Sequence, residues 1–261
     1  MEDLALILVG FSVGTVVGLT GVGGGSLMTP ILIFFFGFKP YLAIGTDLLF
    51  AAGTKLGGTI QLARARVIDW RIVLHLSAGS IPASLLTLYL LRVFGPAHPG
   101  VQVLMTTMLG AALLLTAAAT LYKALRNTPK LLRPGQEAAA TTPRHWSLPL
   151  MFGVLIGSLV TLTSVGAGAI GVSILLILYP LLPLPRIVAA DIAYAVPLTL
   201  VAGLGHASLG SVDWPLLAKL LAGSLPGIWL GTHWMTRISE RIVRSGLSVL
   251  LAFAGFKLIA L

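Results

Sequence analysis

The chain contains no cysteine and few charged residues. Charged side chains make up 10% of its 261 residues, against about 25% in a typical soluble domain, and hydrophobic residues make up 57%. The absence of cysteine excludes disulfides, thiolate metal sites and thiol catalysis. The shortage of charge argues against an ordinary soluble domain. Together with long apolar runs it predicts an all-α polytopic membrane protein.

Acidic residues are especially scarce. Eight Asp and Glu residues stand against 17 Lys and Arg residues, which gives a net charge of +9. In a soluble protein this balance would suggest a nucleic-acid partner. In a membrane protein it is typical of cytoplasmic loops that obey the positive-inside rule, so we expect a lipid bilayer and no nucleic acid. The acidic start Met1-Glu2-Asp3 lacks the basic region of a signal peptide, and none is expected.

The sequence repeats itself once. At an offset of 143 or 144 residues, the second half matches the first in the Leu-Thr-x-Val-Gly motif, in an isolated aspartate and in an Asp-Trp pair, namely Leu19–Gly23 with Leu162–Gly166, Asp47 with Asp191, and Asp69-Trp70 with Asp213-Trp214. Two copies of one unit are therefore predicted. Residues 1–122 form the first transmembrane repeat, 123–146 a basic linker and 147–261 the second transmembrane repeat.

Each repeat is predicted to contain five apolar segments. They cover residues 4–19, 26–37, 43–62, 71–92 and 102–122 in the first repeat, and 147–163, 168–182, 187–207, 214–234 and 242–260 in the second. The positive-inside rule places the basic linker in the cytoplasm and both termini outside. Because five is an odd number, the two repeats would lie in opposite orientations. Such inverted repeats are common in secondary transporters.

A glycine-rich stretch interrupts the apolar sequence at the same place in each repeat. GLTGVGGGSLMTP begins at Gly18 and TLTSVGAGAIGVSILL at Thr161. Glycine inside a helix costs about 1 kcal/mol relative to alanine, so we expect broken or re-entrant helices at the midplane. The short segments that follow either cross the membrane fully or are re-entrant, and their N-terminal amides would face an anion. The predicted anion-binding residues here are Thr20, Gly21, Gly23, Gly24, Gly25, Thr163, Gly166 and Gly168.

The third segment of the first repeat carries two ionisable residues. Asp47 and Lys55 are eight residues apart, which places them on one helix face at a separation of about 12 Å. Ionisable residues within membrane segments are functional candidates by default. Lys55 is predicted to face the anion or to pair with Asp47, and Thr46 is a further predicted substrate contact. Asp47 is either a helix N-cap near the interface or a proton carrier.

The second repeat retains only part of this pattern. Asp191 repeats Asp47, but Thr199 stands where the first repeat has Lys55, so the predicted site carries one fixed positive charge. Asp191 is a second candidate for proton coupling and Thr199 a candidate for substrate binding. His206, at the end of the eighth segment, is either structural or a third proton-coupling residue. Each Asp-Trp pair is predicted to be a helix cap followed by an interfacial aromatic anchor.

Four stretches together resemble the sulfite exporter TauE/SafE family, also called the TSUP or DUF81 permeases. They are GLTGVGGGSLMTP, AIGTDLLFAAGTKLGG, the Val-Ile-Asp-Trp turn at residues 67–70, and DIAYAVPLTLVAGLGHASLGSVDW. The similarity covers nearly the whole chain. It implies transport of small sulfur-containing anions such as sulfite, sulfonates or sulfoacetate across the bacterial inner membrane, with protons as the coupling ion.

The sequence therefore predicts a secondary anion transporter without a cofactor or metal. A passive anion channel of the same fold is the first alternative. An intramembrane hydrolase, with Ser164 as nucleophile and His206 as base, is a weaker one, because Ser164 aligns with Gly21 and no oxyanion motif accompanies it. The sequence leaves the oligomeric state open, and a homodimer is one alternative.

Overall fold

A computed structural model describes residues 2–20, 25–125, 147–234 and 240–259. These residues form ten α-helices and no strand. In the first half the helices are α1 (Glu2–Thr20), α2 (Gly25–Phe36), α3 (Pro40–Arg64), α4 (Trp70–Phe94) and α5 (Pro99–Leu125). In the second half they are α6 (Ser147–Thr163), α7 (Ala169–Leu178), α8 (Leu184–Ser208), α9 (Trp214–Trp234) and α10 (Glu240–Ile259).

The ten helices coincide with the ten predicted apolar segments, so the all-α prediction is confirmed. Three of them are long and apolar enough to cross a membrane by length and composition, namely Trp70–Phe94, Pro99–Tyr122 and Leu184–Ser208. The helices that follow the glycine stretches are short, as predicted, with 12 residues in α2 and 10 in α7. Helix α5 continues to Leu125, and residues 126–146 of the predicted linker lie outside the described residues.

The two Asp-Trp pairs begin helices α4 and α9. The carboxylate of Asp69 accepts a hydrogen bond of 3.0 Å from the amide of Arg71, and that of Asp213 accepts one of 2.9 Å from Leu216. These bonds satisfy amides that a helix N-terminus leaves without partners. The tryptophans that follow are exposed. The two predicted caps are therefore confirmed, and the role of the tryptophans as interfacial anchors stays a prediction.

Close helix packing joins the two halves through glycines. A Cβ atom built on Gly14 would overlap the carbonyl oxygen of Ser224, and one built on Gly157 would overlap that of Ser80. The first contact joins α1 to α9 and the second joins α6 to α4. Small residues allow this approach, which van der Waals packing stabilises in membrane helices. The first helix of each half thus packs on the fourth helix of the other.

Helix α3 lies at the centre of the molecule. It packs on α8 and also contacts α2 and α9. Its side chains enter both buried apolar clusters, with Ile44 and Leu48 in one and Ala43 and Phe50 in the other. Polar residues on this helix are therefore held between the two halves.

Candidate functional site

The glycine stretch of the second half forms a break between α6 and α7. Its backbone has positive φ angles at Ser164 (59°), Gly166 (132°) and Gly168 (140°). Glycine adopts such angles without the steric cost that a side chain adds. The hydroxyl of Thr163 stabilises the turn, because it donates to the carbonyl of Leu159 at 2.7 Å and accepts from the amide of Val165 at 3.1 Å. Thr163 is thus engaged with the backbone.

The break touches the start of α2 in the other half. A Cβ atom built on Gly25 would overlap the carbonyl oxygen of Ser164, so only glycine fits there without a shift. The second break therefore meets the first residue of the short helix from the opposite half. The other predicted residues of the first break, Gly21, Gly23 and Gly24, and the side chain of Thr20 lie outside the described residues.

A small, partly open cavity lies at this meeting point. It is lined by residues of α2, α5, the second break and α7: Ser26, Thr116, Ser164, Val165, Gly166, Ala167 and Ala169. Ser26 and Ala169 belong to the first turns of the two short helices. The N-terminus of a helix carries a partial positive charge of about half an elementary charge. Both short helices therefore direct a positive end toward one cavity.

Lys55 connects the first half to the edge of this cavity. Its side chain is only 8% exposed, and its ammonium nitrogen donates a hydrogen bond of 2.9 Å to the carbonyl oxygen of Ala167. It also interacts electrostatically with the carboxylates of Asp47 and Asp191. Lys55 and the two aspartates, one from each half, thus form a single charged group.

Asp47 is buried within α3 and does not cap the helix. The N-cap of α3 is Lys39, eight residues before Asp47, and the N-cap alternative is therefore wrong. The hydroxyl of Thr29 on α2 donates a hydrogen bond to Asp47 Oδ2. The hydroxyl of Ser164 also lies near this carboxylate and interacts with it, although within the described residues neither Asp47 Oδ1 nor the Ser164 hydroxyl makes a hydrogen bond of good geometry.

Asp191 occupies the corresponding place in the second half. Its side chain is buried, and a Cβ atom built on Gly171 of α7 would overlap its carboxylate. Asp47 contacts α2 in the first half in the same way, through Thr29. In both halves, therefore, a buried aspartate on the long third helix lies against the short helix that follows the glycine stretch.

Three further predicted residues make contacts outside the cavity lining. Thr46 accepts a hydrogen bond of 3.0 Å from the amide of Asp213, and Thr199 donates one of 2.8 Å to the carbonyl of Ala195 in its own helix. His206 is fully buried, and its Nε2 donates to the carbonyl of Thr161 at 2.9 Å. The structure thus gathers Gly25, Gly166, Lys55 and the two aspartates around the break, while Thr46 and His206 join separate elements and Thr199 bonds within its own helix.

Sequence reasoning missed Thr29 and Thr116, counted Ser26 only among the backbone amides at the start of the short helix, and considered Ser164 only as a nucleophile. Ser26 and Thr29 belong to the first glycine motif, so their proximity to the break could have been anticipated. Thr116 lies in the middle of the apolar helix α5, and the sequence carries no signal that it faces the break. Its position follows only from the packing of α5 against α7 and α6.

The chain resembles known membrane proteins along nearly its whole length. Residues 6–258 match the family described as Sulfite exporter TauE/SafE. The chain belongs to this family. It is 36% identical over 257 residues to "Probable membrane transporter protein YjnA" of Bacillus subtilis, an alignment covering 98% of this chain and 100% of the relative.

More distant members of the TauE/SafE family match along most of their length. "Probable membrane transporter protein YunE" of Bacillus subtilis is 25% identical over 269 residues, covering 99% of this chain and 98% of the relative. A "Probable membrane transporter protein" of Xylella fastidiosa is 26% identical over 229 residues, covering 87% and 82%. No solved structure gives a significant match. The chain is thus a multi-pass membrane protein from a family whose relatives are described as transporters.

Proposed function

We propose that this chain is a secondary transporter that moves a small sulfur-containing or organic anion, such as sulfite, a sulfonate or sulfoacetate, across the bacterial inner membrane. The observation that carries the proposal is the cavity at which α2 and α7 both begin, with Lys55 at its edge. Discontinuous helices that direct their N-termini at a central site are typical of secondary transporters for anionic substrates. The names of the relatives support transport in general, and the family description supports sulfite as a first substrate to test.

The arrangement of charges favours an anion that enters together with a proton. Lys55 supplies one positive charge, whereas Asp47 and Asp191 supply two negative charges when both are ionised. An anion about 4 Å from an ionised carboxylate is repelled by about 4 kcal/mol at an effective dielectric constant of about 20. Protonation of one aspartate removes this repulsion. We therefore infer that anion and proton are bound together.

Asp47 is the preferred proton carrier. It lies against Thr29 on α2, and its second carboxylate oxygen has no hydrogen-bond partner among the described residues. Asp191 makes the equivalent contact with α7 and is the alternative carrier. His206 is the third candidate, and its Nδ1 likewise has no partner in the described part of the chain.

The first helix of each half packs on the fourth helix of the other half, and this arrangement supports an inverted repeat. Helix α1 packs on α9 as α6 packs on α4, through glycines that correspond at the repeat offset. Two oppositely oriented repeats that rock against each other would open the central cavity alternately to each side. The linker is proposed to be cytoplasmic and both termini extracytoplasmic, with a homodimer as one candidate assembly.

Two other functions remain as alternatives. A passive anion channel would use the same cavity without a coupling proton. An intramembrane hydrolase would need Ser164 to be hydrogen-bonded to a base such as His206. The hydroxyl of Ser164 lies near the Asp47 carboxylate instead, and His206 Nε2 donates to the carbonyl of Thr161. This geometry favours transport over hydrolysis.

Uptake by proteoliposomes tests the proposal. The purified full-length chain is reconstituted, and the entry of radiolabelled sulfite and sulfoacetate is measured with and without a pH gradient, against protein-free liposomes. We expect accumulation above the external concentration only when a pH gradient is imposed. Flux that follows the anion gradient and ignores the pH gradient would establish the channel, and no flux of any small anion would overturn the proposal.

A further inference from the structure

We propose that the cavity where α2 and α7 begin is a subsite for the oxygen atoms of an oxoanion, and that the hydroxyl of Thr116 determines its specificity. The inference rests on the proposed function and assigns the chemistry of its substrate site. It concerns the hydroxyls of Thr116 and Ser164, which the sequence did not assign to the anion site. Thr116 lines the cavity from α5 and Ser164 lines it from the second break.

Both of these hydroxyls are buried. Thr116 is 2% exposed and Ser164 is 6% exposed, and neither side-chain oxygen makes a hydrogen bond of good geometry within the described residues, although that of Ser164 lies near the Asp47 carboxylate. Burying a hydroxyl without a hydrogen bond is unfavourable, so such groups in a native protein call for an explanation. An acceptor bound in the cavity would satisfy both hydroxyls.

Thr116 differs in this respect from other buried threonines. Thr120, one turn further along α5, donates to the carbonyl of Thr116 at 2.7 Å, and Thr87 on α4 donates to that of Ala83 at 2.8 Å. A threonine in a membrane helix commonly satisfies its hydroxyl in this way. The hydroxyl of Thr116 makes no such bond in the described structure although the same type of carbonyl precedes it. Its hydroxyl is therefore available to a ligand.

The surroundings favour an oxoanion over other ligands. Both short helices direct their positive ends at the cavity, and the Lys55 ammonium lies at its edge on the Ala167 carbonyl. An oxoanion has several oxygens that accept hydrogen bonds in separate directions, which suits the hydroxyls of Thr116 and Ser164 arriving from two separate elements. Chloride would gain the same electrostatic attraction but presents a single acceptor atom, whereas an oxoanion presents a separate oxygen to each of the two hydroxyls. A site built on hydrogen bonds discriminates strongly against ligands that cannot make them.

Equilibrium binding to the purified full-length chain in detergent tests this inference. The probes are sulfite, methanesulfonate and chloride, and the variants are Thr116→Val, which removes the hydroxyl, and Thr116→Ser, which restores it. The matched control is Thr120→Val, a buried threonine of the same helix whose hydroxyl is bonded to the backbone. We expect Thr116→Val to weaken sulfite binding by about tenfold, which corresponds to about 1.4 kcal/mol. Thr116→Ser and Thr120→Val should bind nearly as the wild type does, and chloride should bind weakly to all.

A second variant tests the subsite independently in case Thr116→Val does not fold. Ser164→Gly removes the other unpartnered hydroxyl and suits the positive φ angle at this residue. It should also weaken sulfite binding about tenfold while leaving the protein folded. Unchanged sulfite affinity in both Thr116→Val and Ser164→Gly would overturn the subsite, as would equal loss in Thr120→Val or preferred binding of chloride.

Failure of the subsite proposal and failure of the transport proposal give different results. If the wild type accumulates sulfite under a pH gradient and both hydroxyl variants bind it normally, only the subsite is wrong. If sulfite binds through Thr116 but proteoliposomes do not move it, the subsite holds and the transport proposal fails. Absence of any sulfite or methanesulfonate binding to the wild type would overturn the subsite directly.

Discussion

The ammonium nitrogen of Lys55 donates a 2.9 Å hydrogen bond to the carbonyl oxygen of Ala167, which lies 112 residues further along the chain. Lys55 belongs to α3 of the first half, and Ala167 belongs to the glycine break of the second. A carbonyl is a neutral acceptor, so this bond holds the two halves together without cancelling the charge of the lysine. The ammonium group of Lys55 thus lies beside the cavity on a neutral acceptor.

Replacement of Lys55 tests the role of this charge. Lys55→Met should weaken anion binding by tenfold or more, because a buried anion that loses its counter-charge keeps its desolvation cost. Lys55→Arg should retain part of the affinity. The matched control is Lys219→Met, which removes a lysine that pairs with Asp3 at 2.5 Å near the surface. Normal sulfite binding by Lys55→Met would mean that helix ends and hydroxyls alone hold the anion.

Replacement of Asp47 tests proton coupling. Asp47→Asn keeps the size of the side chain but cannot exchange a proton, so it should bind the anion and lose its response to a pH gradient. Uptake of radiolabelled sulfite is measured with and without that gradient. Asp69→Asn is the control, because asparagine is also a good N-cap and α4 should be unaffected. If Asp47→Asn still shows full uptake driven by the pH gradient, then Asp191 or His206, and not Asp47, carries the coupled proton.

The close contact between the two halves at the break predicts a strong effect of added bulk. Gly25→Ala should abolish or strongly reduce transport, because its Cβ would overlap the Ser164 carbonyl. Gly168→Leu should do the same, since its φ of 140° is strained for any residue with a side chain. Gly57→Ala on α3 is the control, because a Cβ there meets open space. Immunoblots of membrane fractions should show that all variants still reach the membrane. Normal uptake by both Gly25→Ala and Gly168→Leu would mean that these glycines serve only in helix packing.

The orientation of the two halves can be tested by labelling. The natural chain has no cysteine, so single cysteines introduced as Glu2→Cys and Gln136→Cys are each the only reactive thiol. A membrane-impermeant maleimide should label residue 2 from outside the cell and residue 136 only from the cytoplasmic side. Labelling of both positions from the same side would rule out the inverted topology.

The sequence by itself determined the helices of this protein and where they begin. Apolar runs of about 20 residues satisfy their own backbone within each helix, so their extent can be predicted locally. The caps Asp69 and Asp213 are equally local, because their carboxylates reach amides only two or three residues away. Asp47 is the instructive exception. The preceding Gly45-Thr46 suggested a helix start, whereas α3 begins at Pro40, whose fixed φ suits the first turn.

Only the tertiary structure decided which polar groups meet. Thr29 reaches Asp47, Lys55 reaches Ala167, and Thr116 lines the cavity, because the packing of whole helices sets these distances. That packing depends on where small residues allow two backbones to approach, as Gly14 does at Ser224. Repeat matching and helical periodicity locate each residue on its own helix but do not determine which helix it faces. The cavity at the meeting of α2 and α7 is therefore a property of the folded chain.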